Sequence, residues 1–226
     1  LYPYFSDQMA SVSSIFAMMG PFTAALGMDV LPLSSAIGFY GIETGTMLAV
    51  GGTMFAAYTG ITMLSKEEGG HTAEFLLTQP ISRRRVVLEK LLSLLAMLTI
   101  FNVVSMLVGW LCFVAIGEPL PFGDFALFHL VQLFLHIEIG CICFGFSAFS
   151  RRSQIGLGLG IALLLYFLSL IVNMVDPVSF LRYATPFSYA EASTLFSKGT
   201  VDGVLLAIGA GVTLAAAGLP LSTYNS

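Results

Sequence analysis

The sequence predicts an all-α integral membrane protein, a polytopic helical bundle with five spans in this chain and a sixth expected ahead of them in the natural protein. Composition is the first observation that predicts it. Of the 226 residues 57% are hydrophobic and only 10% are charged, against about 25% charged in a typical soluble domain. So few charges could not cover the surface of a water-soluble monomer, and disordered, collagen-like and coiled-coil chains have other compositions. The spacing of the apolar stretches and the placement of the cations are the second and third observations.

Five apolar stretches are long enough to cross a bilayer, whose hydrocarbon core of ~30 Å requires about 20 helical residues. We predict them at residues 35–64, 91–116, 125–149, 154–175 and 201–221. Glu43 and several Gly and Thr interrupt the first stretch, so its strongest part is predicted at 45–64. None shows the alternation typical of a transmembrane barrel strand. Helices are the remaining way to satisfy the backbone in lipid.

The cations orient these spans. Seven of the nine Lys and Arg residues lie in two alternate connections, which the positive-inside rule assigns to the cytoplasm. The seven are Lys66, Arg83, Arg84, Arg85, Lys90, Arg151 and Arg152. We therefore expect an outer-face segment at 1–34, a transmembrane domain at 35–226, a cytoplasmic loop at 65–90 and an outer loop at 176–200. Because 1–34 carries no cation and no signal peptide, a preceding helix is expected to translocate it. The alternative is a short N-terminus that is translocated without such a helix.

The cytoplasmic loop has its own predicted structure. The pair Gly69-Gly70 ends the incoming helix, and Thr72 can cap a two-turn helix with three apolar residues, Phe75, Leu76 and Leu77. Pro80 ends that helix because the residue before a proline is pushed out of helical geometry. Ser82 can then cap a helix over residues 83–116, whose 34 residues would be about 51 Å long. The short helix either docks on a partner protein or lies flat on the membrane, and its sequence favours neither.

A family resemblance bears on this choice. The run Glu67–Arg83, with Glu89-Lys90-Leu91 after it, resembles the signature of type-2 ABC transporter permeases, in which an acidic stretch with Gly and Thr leads into Glu-Leu/Phe-Leu-Leu and then Pro-Val/Ile-Ser-Arg. The segments Arg182–Tyr189 and Leu1–Phe5 resemble other parts of the same family. The uncharged end of the chain departs from the family, many of whose members end in a basic-acidic motif.

The resemblance implies the membrane-spanning subunit of an ABC exporter in the cytoplasmic membrane of a prokaryote. Such a subunit pairs with a second permease, identical or related, and binds two cytoplasmic ABC ATPase subunits. Residues 72–77 would be the coupling helix. The implied ATPase-coupling residues are Glu67, Glu68, Thr72, Glu74, Phe75, Leu76, Leu77, Pro80 and Arg83. Since the chain has no GxxxxGK[ST] motif, we expect no catalysis and no cofactor of its own, with ATP and Mg bound on the partner ATPase.

Polar residues at membrane depth are further candidates. In the third span His129, Gln132 and His136 share one helical face, whereas Glu138 lies about 200° round from His136. Asn102 and Asn173 are polar groups on neighbouring spans. We predict His136, Glu138, Asn102 and Asn173 as a possible intramembrane path or interface. The alternative is packing between helices, which we favour for His129, Gln132 and the asparagines and leave open for Glu138. No metal site is predicted.

Two other classes of function remain as alternatives. An ion-gradient-driven secondary transporter would have inverted repeats and several intramembrane carboxylates, but Glu138 is the one carboxylate near the middle of a predicted span. An intramembrane enzyme would need a metal cluster or a nucleophile–base pair, and the histidine face has no carboxylate at helical spacing. The formal charge of −4 gives no footprint for nucleic acid. The lipid bilayer is the expected surrounding, and the sequence does not name a substrate.

Overall fold

The computed structural model describes residues 20, 23, 28, 30–69, 82–149 and 154–223, and within these it leaves the side chains of 65–69, 83, 176 and 223 undescribed. The described elements are helices throughout. They are α1 (Ala36–Met47), a π-helical turn (Leu48–Gly52), α2 (Thr53–Gly69), α3 (Arg83–Ile116), α4 (Phe122–Ser147), α5 (Ile155–Met174), 3₁₀ helices at Asp176–Ala184 and Pro186–Tyr189, α6 (Ala192–Lys198) and α7 (Gly203–Thr223).

The predicted fold class is confirmed. Five helical stretches of the described residues are long and apolar enough to cross a membrane. They are Ala36–Leu64, Arg84–Ile116, Phe122–Ser147, Ile155–Met174 and Gly203–Ser222. Each overlaps one predicted span, and the boundaries differ by a few residues. Most of the predicted outer-face segment 1–34 lies outside the described residues.

The first span consists of α1, the π-helical turn and α2 in one unbroken run. Ser35 caps it, since its hydroxyl accepts a hydrogen bond from the Gly38 amide at 3.1 Å. Glu43, which the sequence treats as an interruption, lies within α1 with an exposed side chain. The helix therefore starts earlier than the predicted strongest part at residue 45.

Helix α3 has the predicted length and cap. It spans Arg83–Ile116, 34 residues, and the Ser82 hydroxyl accepts a hydrogen bond from the Arg85 amide at 3.3 Å. Gly117 ends it in the left-handed conformation, with φ of 70°, which a residue without Cβ adopts at no steric cost. At about 51 Å this helix is longer than a hydrocarbon core of ~30 Å, so it extends beyond the bilayer.

Helix α4 is the centre of the bundle. In an apolar window of 18 residues within α4, 67% of the residues are buried. The corresponding share is 56% in the first span and 17–22% in the other three spans. Glycines let the neighbouring helices approach it. A Cβ on Gly60 of α2 would overlap the carbonyl oxygen of Gly140 in α4, and a Cβ on Gly145 would lie 2.9 Å from the Ala216 carbonyl oxygen of α7. The three sparsely buried spans present most of their surface to lipid or to partner proteins.

The stretch from residue 176 to 199, within the predicted outer loop, folds back against the bundle. Its two 3₁₀ helices and α6 pack on α4 and α5. The Thr185 hydroxyl donates to the Leu165 carbonyl of α5 at 2.9 Å, and Phe196 stacks on Phe128 of α4 with ring centroids 5.1 Å apart. Irregular backbone next to membrane-spanning helices requires such protein contacts, because lipid offers no hydrogen bonds.

Candidate functional site

The buried polar side chains of α4 form the candidate site, and they lie on two sides of the helix. On the first side His129 Nε2 is hydrogen-bonded to the Tyr40 hydroxyl of α1 at 2.8 Å. The Asn102 amide of α3 donates to the backbone carbonyl of His129 at 3.0 Å. This side of α4 is thereby joined to both α1 and α3, and all three side chains are buried.

His136 lies on the same side and contacts the π-helical turn. Its Nε2 donates to the Leu48 carbonyl at 3.0 Å, and its ring meets Phe101 edge-on with centroids 5.7 Å apart. Gly52 makes room for the ring, since a Cβ there would lie only 2.7 Å from His136 Cε1. In the neutral imidazole Nδ1 is then a lone-pair acceptor, and it is buried without a hydrogen-bond partner in the described part of the chain.

Glu138 lies on the other side of α4. The Tyr189 hydroxyl, at the end of the second 3₁₀ helix, donates to Glu138 Oε2 at 2.7 Å, and only 3% of Glu138 is exposed. Burial, with the neighbouring Glu138 carboxylate adding to it, raises the pKa of Tyr189, so the phenol keeps its proton. Gly209 of α7 completes the enclosure, because a Cβ there would lie 2.5 Å from Glu138 Oε2. The separation of His136 from Glu138 is the one that helical spacing predicts.

Asn173, the fourth predicted path residue, is not brought together with these groups. It lies near the end of α5 with an exposed side chain, and its amide donates to Glu191 Oε1 at 3.3 Å. It lines a polar cavity of about 430 Å³ at the Phe122 end of the bundle. Tyr189 and the ion pair of Arg182 with Asp202, 2.9 Å apart, line the same cavity.

Gln132 ties α4 to the folded-back segment. Its Nε2 donates to the Ala190 carbonyl at 3.1 Å, while its buried Oε1 has no partner among the described residues. Together with the Tyr189–Glu138 bond, this contact fixes the segment against the middle of α4. Among the described residues no group of three His, Cys, Asp or Glu side chains could hold a metal ion. The arrangement is suited to positioning helices against one another.

A second cavity lies between the first span and α3. It has a volume of about 730 Å³, and its lining is mostly apolar. The π-helical turn contributes Leu48, Gly51 and Gly52 to its wall, and α3 contributes a face that includes Phe101 and Val108. This cavity is within the range of small-molecule sites, and it lies against the π-helical turn.

The predicted coupling residues fall at the edge of the described chain. Glu67 and Glu68 lie in the last described turn of α2, and Arg83 is the first residue of α3. The other predicted coupling residues, Thr72, Glu74, Phe75, Leu76, Leu77 and Pro80, lie outside the described residues. Their roles stay predictions.

Sequence reasoning missed several residues of the polar core. Tyr40 and Tyr189 supply the hydroxyl partners of His129 and Glu138, and Gly52 and Gly209 supply the space. A tyrosine in a proline-bearing segment between spans, as Tyr189 is, could have suggested a polar partner for an intramembrane carboxylate. The two glycines are among 23 in the chain and carry no signal that distinguishes them.

The fold and the polar core define a class: a multi-pass helical membrane protein whose central helix is held by buried polar contacts. The family described as ABC-2 family transporter protein has a model that matches residues 4–225, nearly the whole chain. The chain belongs to this family, and it is an ABC-type transport permease. Neither the comparison with curated proteins nor the comparison with solved structures gives a match.

Proposed function

We propose that this permease is the membrane subunit of an ATP-driven exporter. Two cytoplasmic ABC ATPase subunits would bind ATP and Mg and hydrolyse the nucleotide, and a second permease, identical or related, would complete the transmembrane path. The membership of residues 4–225 in the ABC-2 family carries the proposal. A cytoplasmic membrane of prokaryotic type is the expected location, given the bias of the cations toward two alternate connections.

The position of the connection along the chain supports coupling through residues 70–81. The described part of α2 extends to Gly69 and α3 begins at Arg83, so residues 70–81 connect the first two spans. Helix α3 extends beyond the hydrocarbon core, and a rigid helix of this length transmits a displacement of one end to the other. Phe75, Leu76 and Leu77 would anchor in a groove of the ATPase. The charges of Glu67, Glu68, Glu74 and Arg83 would orient the contact.

The polar core contributes to the transport path or to the interfaces between helices. The contacts of Asn102 and His136 with neighbouring backbone carbonyls favour the packing role. The Glu138 carboxylate is enclosed and accepts a hydrogen bond from the Tyr189 hydroxyl, and this arrangement also favours the packing role. Asn173, exposed beside the polar cavity, is the one of the four that a permeating molecule could reach.

Association with the ATPase tests the coupling loop. The permease is co-produced with the ABC ATPase encoded nearest its gene, and the two are co-purified in detergent. Changing Phe75 and Leu76 to Ser removes two predicted apolar anchors, and we expect at least a tenfold loss of bound ATPase, since buried apolar anchors each contribute about 1.5–3 kcal/mol. Phe122→Ser, at the other end of the bundle where the ring is 61% exposed, is the matched control.

Equal recovery of ATPase with both variants would remove these residues from the interface. Failure of the unaltered permease to bind any ABC ATPase would contradict the proposed function itself. Transport by the complex in vesicles should require ATP and should persist when ion gradients are dissipated. Transport that follows the ion gradient and ignores ATP would indicate a secondary transporter instead.

A further inference from the structure

We propose that the π-helical turn Leu48–Gly52 is a hinge in the first span and that His136 is the positioning residue that latches it. A π-helical turn inside an α-helix is rare and marks functional sites more often than ordinary helix does. The turn divides the span into α1, which packs on α6, and α2, which leads to the cytoplasmic connection. The proposal rests on the proposed function, because the ATPase would drive the motion.

Side chains add hydrogen bonds to the carbonyls of the widened turn. His136 Nε2 donates to the Leu48 carbonyl at 3.0 Å, and the Thr53 hydroxyl donates to the carbonyls of Ala49 and Val50. A π-helical turn is closed by backbone bonds to amides five residues on, where a regular α-helix uses amides four residues on. His136 adds to this turn a donor from another helix. Without the His136 donor, the π turn would be less stable relative to a regular helical turn.

Steric fit makes the latch specific to its site. Gly52 faces the His136 ring so closely that any Cβ would overlap it, whereas a Cβ on the adjacent Gly51 would meet nothing within 4 Å. His136 itself is fully buried and rests against Phe101 of α3. The ring can hold the turn only while α2, α3 and α4 keep their present arrangement.

Free space beside the turn lets it move. Close-packed interiors resist deformation, but the cavity of about 730 Å³ lies against Leu48, Gly51 and Gly52. The change between a π turn and a regular turn shifts the helical register by one residue, which rotates everything beyond it by about 100° and moves it by about 1.5 Å. A displacement of α2 by the ATPase would therefore be taken up at the turn and leave α1 in place.

Hydrogen exchange on the permease in lipid nanodiscs tests the latch without any ATPase. His136→Leu removes the donor, and we expect amides 48–53 to exchange about tenfold faster, the effect of losing one buried hydrogen bond. His136→Gln keeps an N–H donor and should restore exchange to within about twofold of the unaltered chain. Unchanged exchange at 48–53 in the leucine variant would overturn the latch.

The adjacent glycines give a second pair of variants that does not depend on replacing a buried ring. Gly52→Ala should displace His136 and raise exchange at 48–53, while Gly51→Ala should not raise it, although both changes are Gly to Ala in the same turn. Equal exchange in the two variants would also overturn the latch.

Distances between spin labels test the hinge in the assembled transporter. Cysteines replace Glu43 and Tyr58, on either side of the turn, in a Cys112→Ser background, because Cys141 and Cys143 are buried. The control pair replaces Leu92 and Leu107 in α3, which have the same separation in sequence and are exposed. We expect ATP with vanadate to change the first distance and to leave the second unchanged.

The possible results separate the two proposals. A transporter that hydrolyses ATP while both distances stay constant overturns the hinge and leaves the proposed function standing. An ATPase that never associates with the permease overturns the proposed function, and hydrogen exchange then decides on the latch alone. A changed 43–58 distance in the unaltered chain, with the 92–107 distance constant, supports the hinge.

Discussion

At the scale of single residues, four buried polar side chains of α4 are tied to three neighbouring parts of the molecule. His129 contacts α1, Gln132 the folded-back segment, His136 the π-helical turn and Glu138 the residue Tyr189. An unpaired polar group costs more free energy in a buried site than a paired one gains. These contacts therefore specify one arrangement of helices among the many that apolar packing alone would allow.

Tyr189→Phe tests the contact on Glu138. Removing the hydroxyl leaves Oε2 of a carboxylate that is 3% exposed without its donor. We expect the free energy of unfolding to fall by about 1–3 kcal/mol, the cost of a buried acceptor left unsatisfied. Equilibrium unfolding in mixed micelles measures it. Tyr183→Phe is the control, because Tyr183 is 52% exposed and its loss of a hydroxyl should have little effect. Equal stability of the two variants would mean that the Tyr189 contact contributes nothing.

The sequence predicts that polar residues lie on two sides of α4, but it does not predict which residues they contact. Helical periodicity alone separates His136 from Glu138, because their spacing is fixed by the helix they share. The partner of Glu138 is 51 residues away in a segment without helical periodicity, and the partner of His136 is 88 residues away. Tertiary packing decides such pairs, and a single sequence carries no record of it.

At the scale of elements, a helix is predictable from the sequence when the contacts that form it are local along the chain. The bounds of α3 agree with the prediction because local residues set them, Ser82 at the start of the helix and Gly117 at its end. The π-helical turn has no such local cause. Its sequence, Leu-Ala-Val-Gly-Gly, is compatible with an apolar α-helix, and the donor that satisfies Leu48 comes from α4. The folded-back segment escaped prediction for the same reason, since Gln132 and Leu165 hold it from outside.

The crossing of α2 and α4 gives a prediction at this scale. Gly60→Ala places a Cβ against the Gly140 carbonyl oxygen, a backbone atom that cannot move without displacing α4. We expect the free energy of unfolding to fall by about 3 kcal/mol, the upper end for an overpacked core. Unfolding in mixed micelles, or loss of monodisperse protein, measures it.

Gly156→Ala in α5 is the matched change, because nothing lies within 4 Å of its Cβ position. There alanine should be neutral or raise stability by about 0.5–1 kcal/mol, its advantage over glycine inside a helix. A Gly60→Ala variant as stable as the Gly156→Ala variant would show that α2 and α4 do not cross so closely.

At the scale of the whole molecule, burial is concentrated on one helix. Helix α4 is enclosed by the first span, α7 and the folded-back segment. In α3, α5 and α7, by contrast, only 17–22% of the residues in an apolar 18-residue window are buried. A permease that pairs with a second permease needs exposed apolar surface for that contact, and these three spans expose such surface. The family match over residues 4–225 identifies an ABC-type transport permease, and either lipid or a second permease would cover the exposed apolar surface of these spans.

Orientation in the membrane is the property on which the proposed coupling depends, and it can be measured directly. In a Cys112→Ser background, a cysteine replaces Thr78 in the predicted coupling loop, and a second chain has a cysteine at the exposed Ser179 instead. Positive-inside bias puts residue 78 in the cytoplasm and residue 179 outside. A membrane-impermeant maleimide should therefore label position 179 in intact cells and position 78 only after permeabilisation. Labelling of position 78 in intact cells would place the loop on the exterior, where no ATPase could bind it, and both the orientation and the coupling proposal would be wrong.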